Sequence, residues 1–197
     1  GNGGSCVLSA YSSSVINLSN HLTTSLGITA QYFTLNKNWT IEPRAALKWS
    51  FNPKHALALA YGLHSRREKL DYYFVEQEAN GKTESNRYLD FSKAHHFGLT
   101  YDWNINSYMH LKVEPYYQYL FRIPVEENSS FSIINHQSFY LDRILKNRGS
   151  GVNYGIDITL EQYMKNGFYY MITASLFKSK YKAGDNIWRN TRLDKNY

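Results

Sequence analysis

Long apolar runs are missing from this 197-residue chain. No stretch of about 18 apolar residues occurs, which excludes helical membrane spans. Cysteine is almost missing too: Cys6 stands alone, so no internal disulfide or cysteine-based metal site can form. Cys6 is not read as a lipid anchor either, because the Gly-Asn-Gly-Gly-Ser before it lacks the apolar segment that lipoprotein processing needs. No signal peptide is visible, so the sequence reads as a mature chain or a piece of one. Methionine is scarce, 3 residues against 18 tyrosines, and the mean hydropathy is −0.52. Membrane strands escape hydropathy scans in such a chain, because half of their residues face water.

One-sided charge is also lacking along most of the sequence. The formal net charge is +6, which raises nucleic acid as a partner. Yet between His64 and Tyr88 the bases Arg66, Arg67, Lys69, Lys82 and Arg87 are matched by Glu68, Asp71, Glu76, Glu78 and Glu84. The excess gathers late, at Lys178, Lys180, Lys182, Arg189, Arg192 and Lys195. No recognition helix or zinc-finger spacing accompanies it, so no nucleic-acid partner is expected.

What the chain does have is alternation. From Asn38 to Phe51, Trp39, Ile41, Pro43, Ala45, Leu47, Trp49 and Phe51 interleave with Thr40, Glu42, Arg44, Ala46, Lys48 and Ser50. A strand sends successive side chains to opposite faces, so one face here is greasy and the other charged. Similar patterns predict strands at residues 7–16 (serine-rich and weak), 21–34, 55–64, 89–103, 108–121, 151–163 and 168–180. In the fifth, Phe91, Phe97, Leu99, Tyr101 and Trp103 share the apolar face. Stretches of up to about 14 residues exceed the usual globular strand of about 5–6.

Connections alternate in length. Short turns are expected at Leu18-Ser19-Asn20, Asn52-Pro53-Lys54, Asn104-Ile105-Asn106 and Lys165-Asn166-Gly167. Between them fall two long connections, at about residues 65–88 and 122–150. Short turns at one rim and long loops at the other is the layout of an outer-membrane barrel. Aromatics stand where interfacial girdles belong: Trp49, Phe51, Trp103 and Tyr108 by the short turns, and Trp39, Tyr117, Tyr119 and Phe121 by the loops. The fold class expected is therefore all-β, with about eight antiparallel up-and-down transmembrane β-barrel strands. Residues 1–20 form a weak or non-native N-terminal segment with the first strand, and residues 21–197 a partial barrel.

Many short motifs carry a likeness. They include Glu42-Pro43-Arg44 leading to Lys48-Trp49-Ser50-Phe51, and Ala60-Tyr61-Gly62-Leu63-His64-Ser65. Phe91-Ser92-Lys93-Ala94-His95-His96, Glu114-Pro115-Tyr116-Tyr117-Gln118, Ile123-Pro124-Val125 and Phe131-Ser132-Ile133-Ile134-Asn135 join them, as do the runs 149–161 and 175–192. In these the chain resembles the C-terminal barrel region of TonB-dependent outer-membrane receptors of Bacteroidetes type. The resemblance implies a larger barrel, of about 22 strands around a plug, with TonB as partner through a plug that is not identifiable here. It implies a bacterial outer-membrane location, lipid around the barrel, and uptake of a nutrient or chelate that the sequence does not name. Tyr197 matches the terminal aromatic of such barrels, although Leu193-Asp194-Lys195-Asn196 does not alternate.

Sites are few. His95 and His96 are adjacent in a strand, so they face opposite ways and cannot chelate one ion. His110 shares a face with Lys112 and Glu114, as lumen lining would. No metal or cofactor is expected. His64 and Ser65 also point apart, and no nucleophile motif surrounds them, so no catalytic residue is assigned. Asn38-Trp39-Thr40 and Asn128-Ser129-Ser130 match a glycosylation pattern by chance. Glu42, Arg44, Lys48, Glu114, Asp157 and Glu161 are expected to face a wet lumen, where they are solvated or paired. Loop aromatics Tyr72, Tyr73, Phe74, Phe131, Phe139 and Tyr140 are candidate ligand contacts, or else pack the loops together. Two other functions fit the pattern: a self-contained eight-strand barrel serving as adhesin or anchor, and a membrane-barrel hydrolase.

Overall fold

The structure is a computed structural model that describes residues 4–79, 81–138 and 140–194. Its strands are β1 (Val7–Ser19), β2 (Leu22–Phe33), β3 (Asn38–Asn52), β4 (His55–Arg66), β5 (Glu76–Ala79), β6 (Lys82–Ser85), β7 (Ser92–Asn106), β8 (Met109–Val125), β9 (Lys146–Lys165), β10 (Phe168–Lys182) and β11 (Trp188–Asn190). Nine of them form one antiparallel sheet in the order β1-β2-β3-β4-β7-β8-β9-β10-β11, while β5 and β6 make a separate hairpin. Eight long staves in up-and-down order are what the alternation predicts. Among the described residues β1 does not pair with β10 or β11, so the sheet is open. A self-contained eight-strand barrel would need that closure.

Turn chemistry explains the register. Asn166 and Gly167 both adopt positive φ, 52° and 82°, the pair that a tight hairpin turn requires. Asn52 accepts hydrogen bonds from the backbone N–H groups of Lys54 and His55 at 2.8 and 3.0 Å. Asn106 accepts one from Tyr108 at 3.0 Å. Each asparagine thereby folds its own turn. The serine-rich first segment is a full strand of 13 residues, paired along its length with β2. Its ladder partner supplies what its own side chains do not.

Two boundaries depart from the alternation. The fifth predicted strand starts three residues late, at Ser92, and Phe91 is buried under the loops instead of sharing a face with Phe97. Two hydrogen bonds cause it: Asp90 accepts the N–H of Phe91 at 2.8 Å, and Asn147, from the second long connection's far end, accepts that of Asp90 at 2.8 Å, so the backbone leaves the ladder. The seventh begins at Lys146, five residues before Gly151, and meets β8 through an irregularity between Leu120 and Ile123. Arg122, at φ 54°, makes that bulge. The long connections are not structureless. That between β4 and β7 holds 3-10 turns at Leu70–Phe74 and Asn86–Tyr88 around the β5–β6 hairpin, and that between β8 and β9 holds one at Ile133–Asn135.

Cross-strand register divides the sheet into two faces. On the apolar face one row runs Leu57, Tyr101, Val113, Ile158, Ala174. Aromatic rows flank such aliphatic rows. By the short turns Trp49, Phe51, His55 and Trp103 follow one another with ring centroids 5.2–5.7 Å apart. Toward the loops Tyr61, Phe97, Tyr117 and Tyr154 share a row. His55 and Leu63 are eight residues apart on β4, about 26 Å at 3.3 Å per residue, close to the apolar band of about 25 Å in a membrane barrel. Many of these apolar side chains are exposed, so none of the described residues covers this face. The core lies elsewhere, at the loop end of the polar face.

Candidate functional site

The polar face starts at the short turns as a set of side-chain pairs within and between strands. His110 bonds Asp102 at 3.1 Å and lies 3.9 Å from Glu161. Lys112 meets Glu114 at 2.8 Å, and Thr100 donates to Glu114 at 3.2 Å. Asp157 accepts a bond from Ser175, while Lys48 is exposed. Midway along, small residues replace the charges. Gly27, Ala46, Ala60, Gly62 and Gly98 line a shallow trough of about 510 Å³, with Arg44, His64 and His96 on its loop side. The rings of His64 and His96 lie 4.5 Å apart, and His95 is on the other face, bonded to the Tyr61 hydroxyl at 3.0 Å.

Glu42 differs from the other five charges expected in the lumen. Its carboxylate is buried, with 2% exposure. The β3–β4 ladder stops at Arg44 and Gly62, and Glu42 fills the gap above. It accepts the Ser65 N–H at 3.1 Å, the Gln31 amide at 2.7 Å and Arg44 at 3.3 Å. Thr40, also buried, bonds the Ser65 hydroxyl at 2.9 Å. A wet lumen is therefore not what Glu42 meets; three donors replace the water.

Above Glu42 both long connections fold inward over the polar face. Phe33, Tyr72, Tyr73, Leu89, Phe91, Ile123, Ile133, Leu141 and Leu145 form one buried cluster. Tyr73 meets Phe33 edge-on at 5.2 Å, and its hydroxyl accepts the Glu68 N–H at 3.2 Å. Burial pushes the Tyr73 phenol above its ordinary pKa, because the phenolate would lose its water. Asparagines tie the connections together. Asn86 donates to the Arg143 carbonyl at 2.8 Å and accepts the Leu145 N–H at 2.7 Å. Asn147 donates to the Arg122 carbonyl at 2.8 Å, and Asn36 to that of Leu89 at 2.7 Å. Glu68, buried, accepts the Ser92 hydroxyl at 2.5 Å. Among the described residues no buried side-chain polar atom lacks a partner.

Of the loop aromatics, Tyr72 and Tyr73 are 3% and 1% exposed, so they pack the loops rather than stand at their surface. Phe131 is half-buried against the cluster, with Arg143 over its ring at 4.8 Å. Phe74 and Tyr140 are 57% and 75% exposed. Phe139 lies outside the described residues, as do Lys195 and Tyr197. Beneath the loops a cleft of about 720 Å³ opens between Arg66, Arg67, Lys69, Tyr72, Ile134 and His136. Three basic side chains and a histidine surround it, and Glu68 is the acid at its edge. Neither the asparagine clamps nor the cleft carried a signal in the sequence, because their partners lie tens of positions apart.

The described residues hold no group of three or more potential metal ligands. Nor does a hydrogen bond among the described residues join a serine hydroxyl to a histidine ring, the pair that a serine nucleophile activated by histidine requires. No protein-family model matches the chain, and no curated protein matches it in sequence. Solved structures do match. The chain superposes on the ferric-catecholate import receptor Fiu from E. coli with a TM-score of 0.68 at 9% identity, over 91% of this chain and 28% of that one. The FrpB iron transporter from Neisseria meningitidis gives 0.65 at 11%, over 91% and 27%. The RagAB peptide importer gives 0.65 at 13%, over 89% and 22%. The chain thus spans between a fifth and three tenths of the structures it matches. At these identities the likeness defines the fold: barrel staves of the kind found in import receptors, which agrees with the resemblance read from the sequence motifs.

Proposed function

We propose that the chain is a barrel segment of a TonB-dependent outer-membrane receptor that takes up a nutrient or chelate, contacted by the extracellular loops. The observation that carries this reading is the pairing of an uncovered apolar face, flanked by aromatic rows, with loops folded over one end of the polar face. An apolar sheet face of this extent is stable in lipid and not in water. The loop end is then extracellular, the short turns periplasmic, and the polar face lines the lumen. Arg44, Lys48, Glu114, Asp157 and Glu161 line it below the loops, and Glu42 braces its mouth. Phe74 and Tyr140 present aromatic contacts outward, and the cleft beside Arg66, Arg67 and His136 receives the polar part of the ligand. The open sheet supports a share of a larger barrel over a self-contained anchor. Fiu imports a ferric catecholate and RagAB a peptide, so ferric chelates and short peptides are the first ligands to try.

Topology and transport can be tested separately. In the full-length protein with Cys6 replaced by serine, single cysteines at Phe74 or Tyr140 should react with a membrane-impermeant maleimide on intact cells, and one at Asn166 should not. Labelling at Asn166 alone overturns the orientation. Cells expressing the full-length gene should accumulate a labelled ferric chelate or peptide only with functional TonB. Uptake that survives loss of TonB overturns the energy coupling.

A further inference from the structure

Aromatic rings are out of place on a face of charges and small residues, yet β8 and β10 put two there below the loops. In one row of the ladder Tyr116 pairs with Gly155, and Gly155 with Phe177. Both neighbours crowd the glycine: a Cβ on Gly155 would lie 2.8 Å from the Tyr116 hydroxyl and 2.8 Å from Phe177 Cβ. Phe177 remains 44% exposed to the lumen side. One row toward the loops, Gln118 pairs with Asn153, and Asn153 with Ser179. Thr191 donates to Ser179 at 2.8 Å, Ser179 to Asn153 at 2.7 Å, and Asn153 to Gln118 at 3.0 Å. Every bond of this relay runs the same way, so it fixes the Gln118 amide with its N–H groups left to donate. One row toward the short turns, Asp157 accepts from Ser175 and keeps further lone pairs to accept with.

These rows line a recess of about 470 Å³, within the range of about 300–1,000 Å³ usual for ligand pockets. It shares Tyr116 and Gln118 with the trough of about 510 Å³, so the two run together along the wall. Aromatic rings with donors on one side and acceptors on the other select a ligand with apolar ring faces and a rim of hydroxyls. A pyranose has that form. Its C–H bonds present a weakly positive face to the negative face of an aromatic ring, and its hydroxyls both donate and accept. Among the described residues neither lysine nor arginine lines the recess, so an anionic chelate meets no counter-charge there.

We propose that Tyr116 and Phe177, with Gln118, Asn153 and Asp157, form a subsite on the lumen wall for a neutral oligosaccharide. A sugar ring stacks on the aromatic pair, the Gln118 amide donates to one hydroxyl, and Asp157 accepts from another. The rest of the ligand continues into the trough past Gly98. The proposal rests on the receptor reading above and goes beyond it by naming a ligand class. Its test uses the full-length protein, purified in mild detergent from fractionated membranes. The probes are an array of neutral trisaccharides of glucose, galactose, mannose, xylose and N-acetylglucosamine, with calorimetric titration of each binder.

At least one neutral trisaccharide should bind, and Phe177→Ala should weaken it about tenfold, the loss expected for a stacking ring. Phe177→Trp should keep binding, and Asn153→Leu should weaken it by breaking the relay that holds Gln118. Unboiled gel migration reports whether each variant is folded. Should Phe177→Ala fail that check, Phe177→Leu takes its place, keeping apolar bulk without an aromatic face. An array with no binder, or a binder unaffected by the folded variants, overturns the subsite. A ferric catecholate or tetraalanine that displaces the sugar at equal concentration overturns the ligand class. Recovery of the protein outside the outer-membrane fraction, or uptake that survives loss of TonB, overturns the receptor reading instead, whatever the sugar result.

Discussion

The two ends of the polar face follow one alternating pattern yet are built differently. By the short turns, His110 pairs with Asp102 and Glu161 on neighbouring strands and Lys112 with Glu114 along β8, and all stay partly exposed. By the loops, Glu42, Thr40, Phe33 and Ser92 hold the same face positions and are buried. The difference is the covering layer. Two long connections fold back over the upper strands and build a core of water-soluble type, while below them the face is left to small residues and ion pairs. Polar residues on a barrel's inner face are thus of two kinds, solvated below and bracing above.

Perturbing the covering layer should have the largest consequences. Tyr73→Ala removes a buried ring from the middle of the cluster, and about 3–5 kcal/mol of local stability is expected to go with it. Hydrogen exchange of the full-length protein should show faster exchange in residues 67–91 and 126–145, with the strands near the short turns unchanged. Uniform acceleration along all strands would erase the distinction between the two ends. Asn86→Ala comes next, as the Leu145 N–H and the Arg143 carbonyl lose their partner at a cost of about 1–3 kcal/mol. Limited proteolysis should then cut the 126–145 connection earlier than in the unaltered protein.

A pH effect sharpens the comparison further. The Tyr73 phenol has a raised pKa in the folded loops, so the folded state holds its proton longer than the unfolded one. Loop stability is therefore full below about pH 10, the unfolded value, and falls as pH rises through the folded one. Tyr73→Phe should remove that alkaline loss, readable as loop exchange rates against pH. At the other extreme Lys48→Ala, on an exposed position near the short turns, should change stability by less than about 0.5 kcal/mol. Thermal or denaturant midpoints check this, and a larger loss would mean that the lower face is braced as well.

Much of this architecture was legible residue by residue. Alternation in segments such as Asn38–Phe51 and Met109–Phe121 gives strand and face together, since a period of two has one physical cause. Asn52, Asn106 and Asn166-Gly167 announce turns because their side chains or their φ angles make them. Phe91 misled, because its parity fits the ladder while the bond between Asp90 and Asn147 pulls the backbone out of it. Asn147 is 57 positions away, and no local pattern reports a partner so distant. Tyr72 and Tyr73 stayed open between ligand contact and loop packing for the same reason, and their burial decides for packing.

The sequence by itself determined the staves, their two faces, the short turns and the aromatic rows, because each depends on neighbours within a few residues. Only the tertiary structure decided that the sheet is open, that the long connections turn inward, and that Glu42 is buried in a strand gap. It also decided that the row through Tyr61, Phe97, Tyr117 and Tyr154 ends on Lys178. Those outcomes depend on which strands and loops meet across distances of tens of residues, and alternation is blind to that separation.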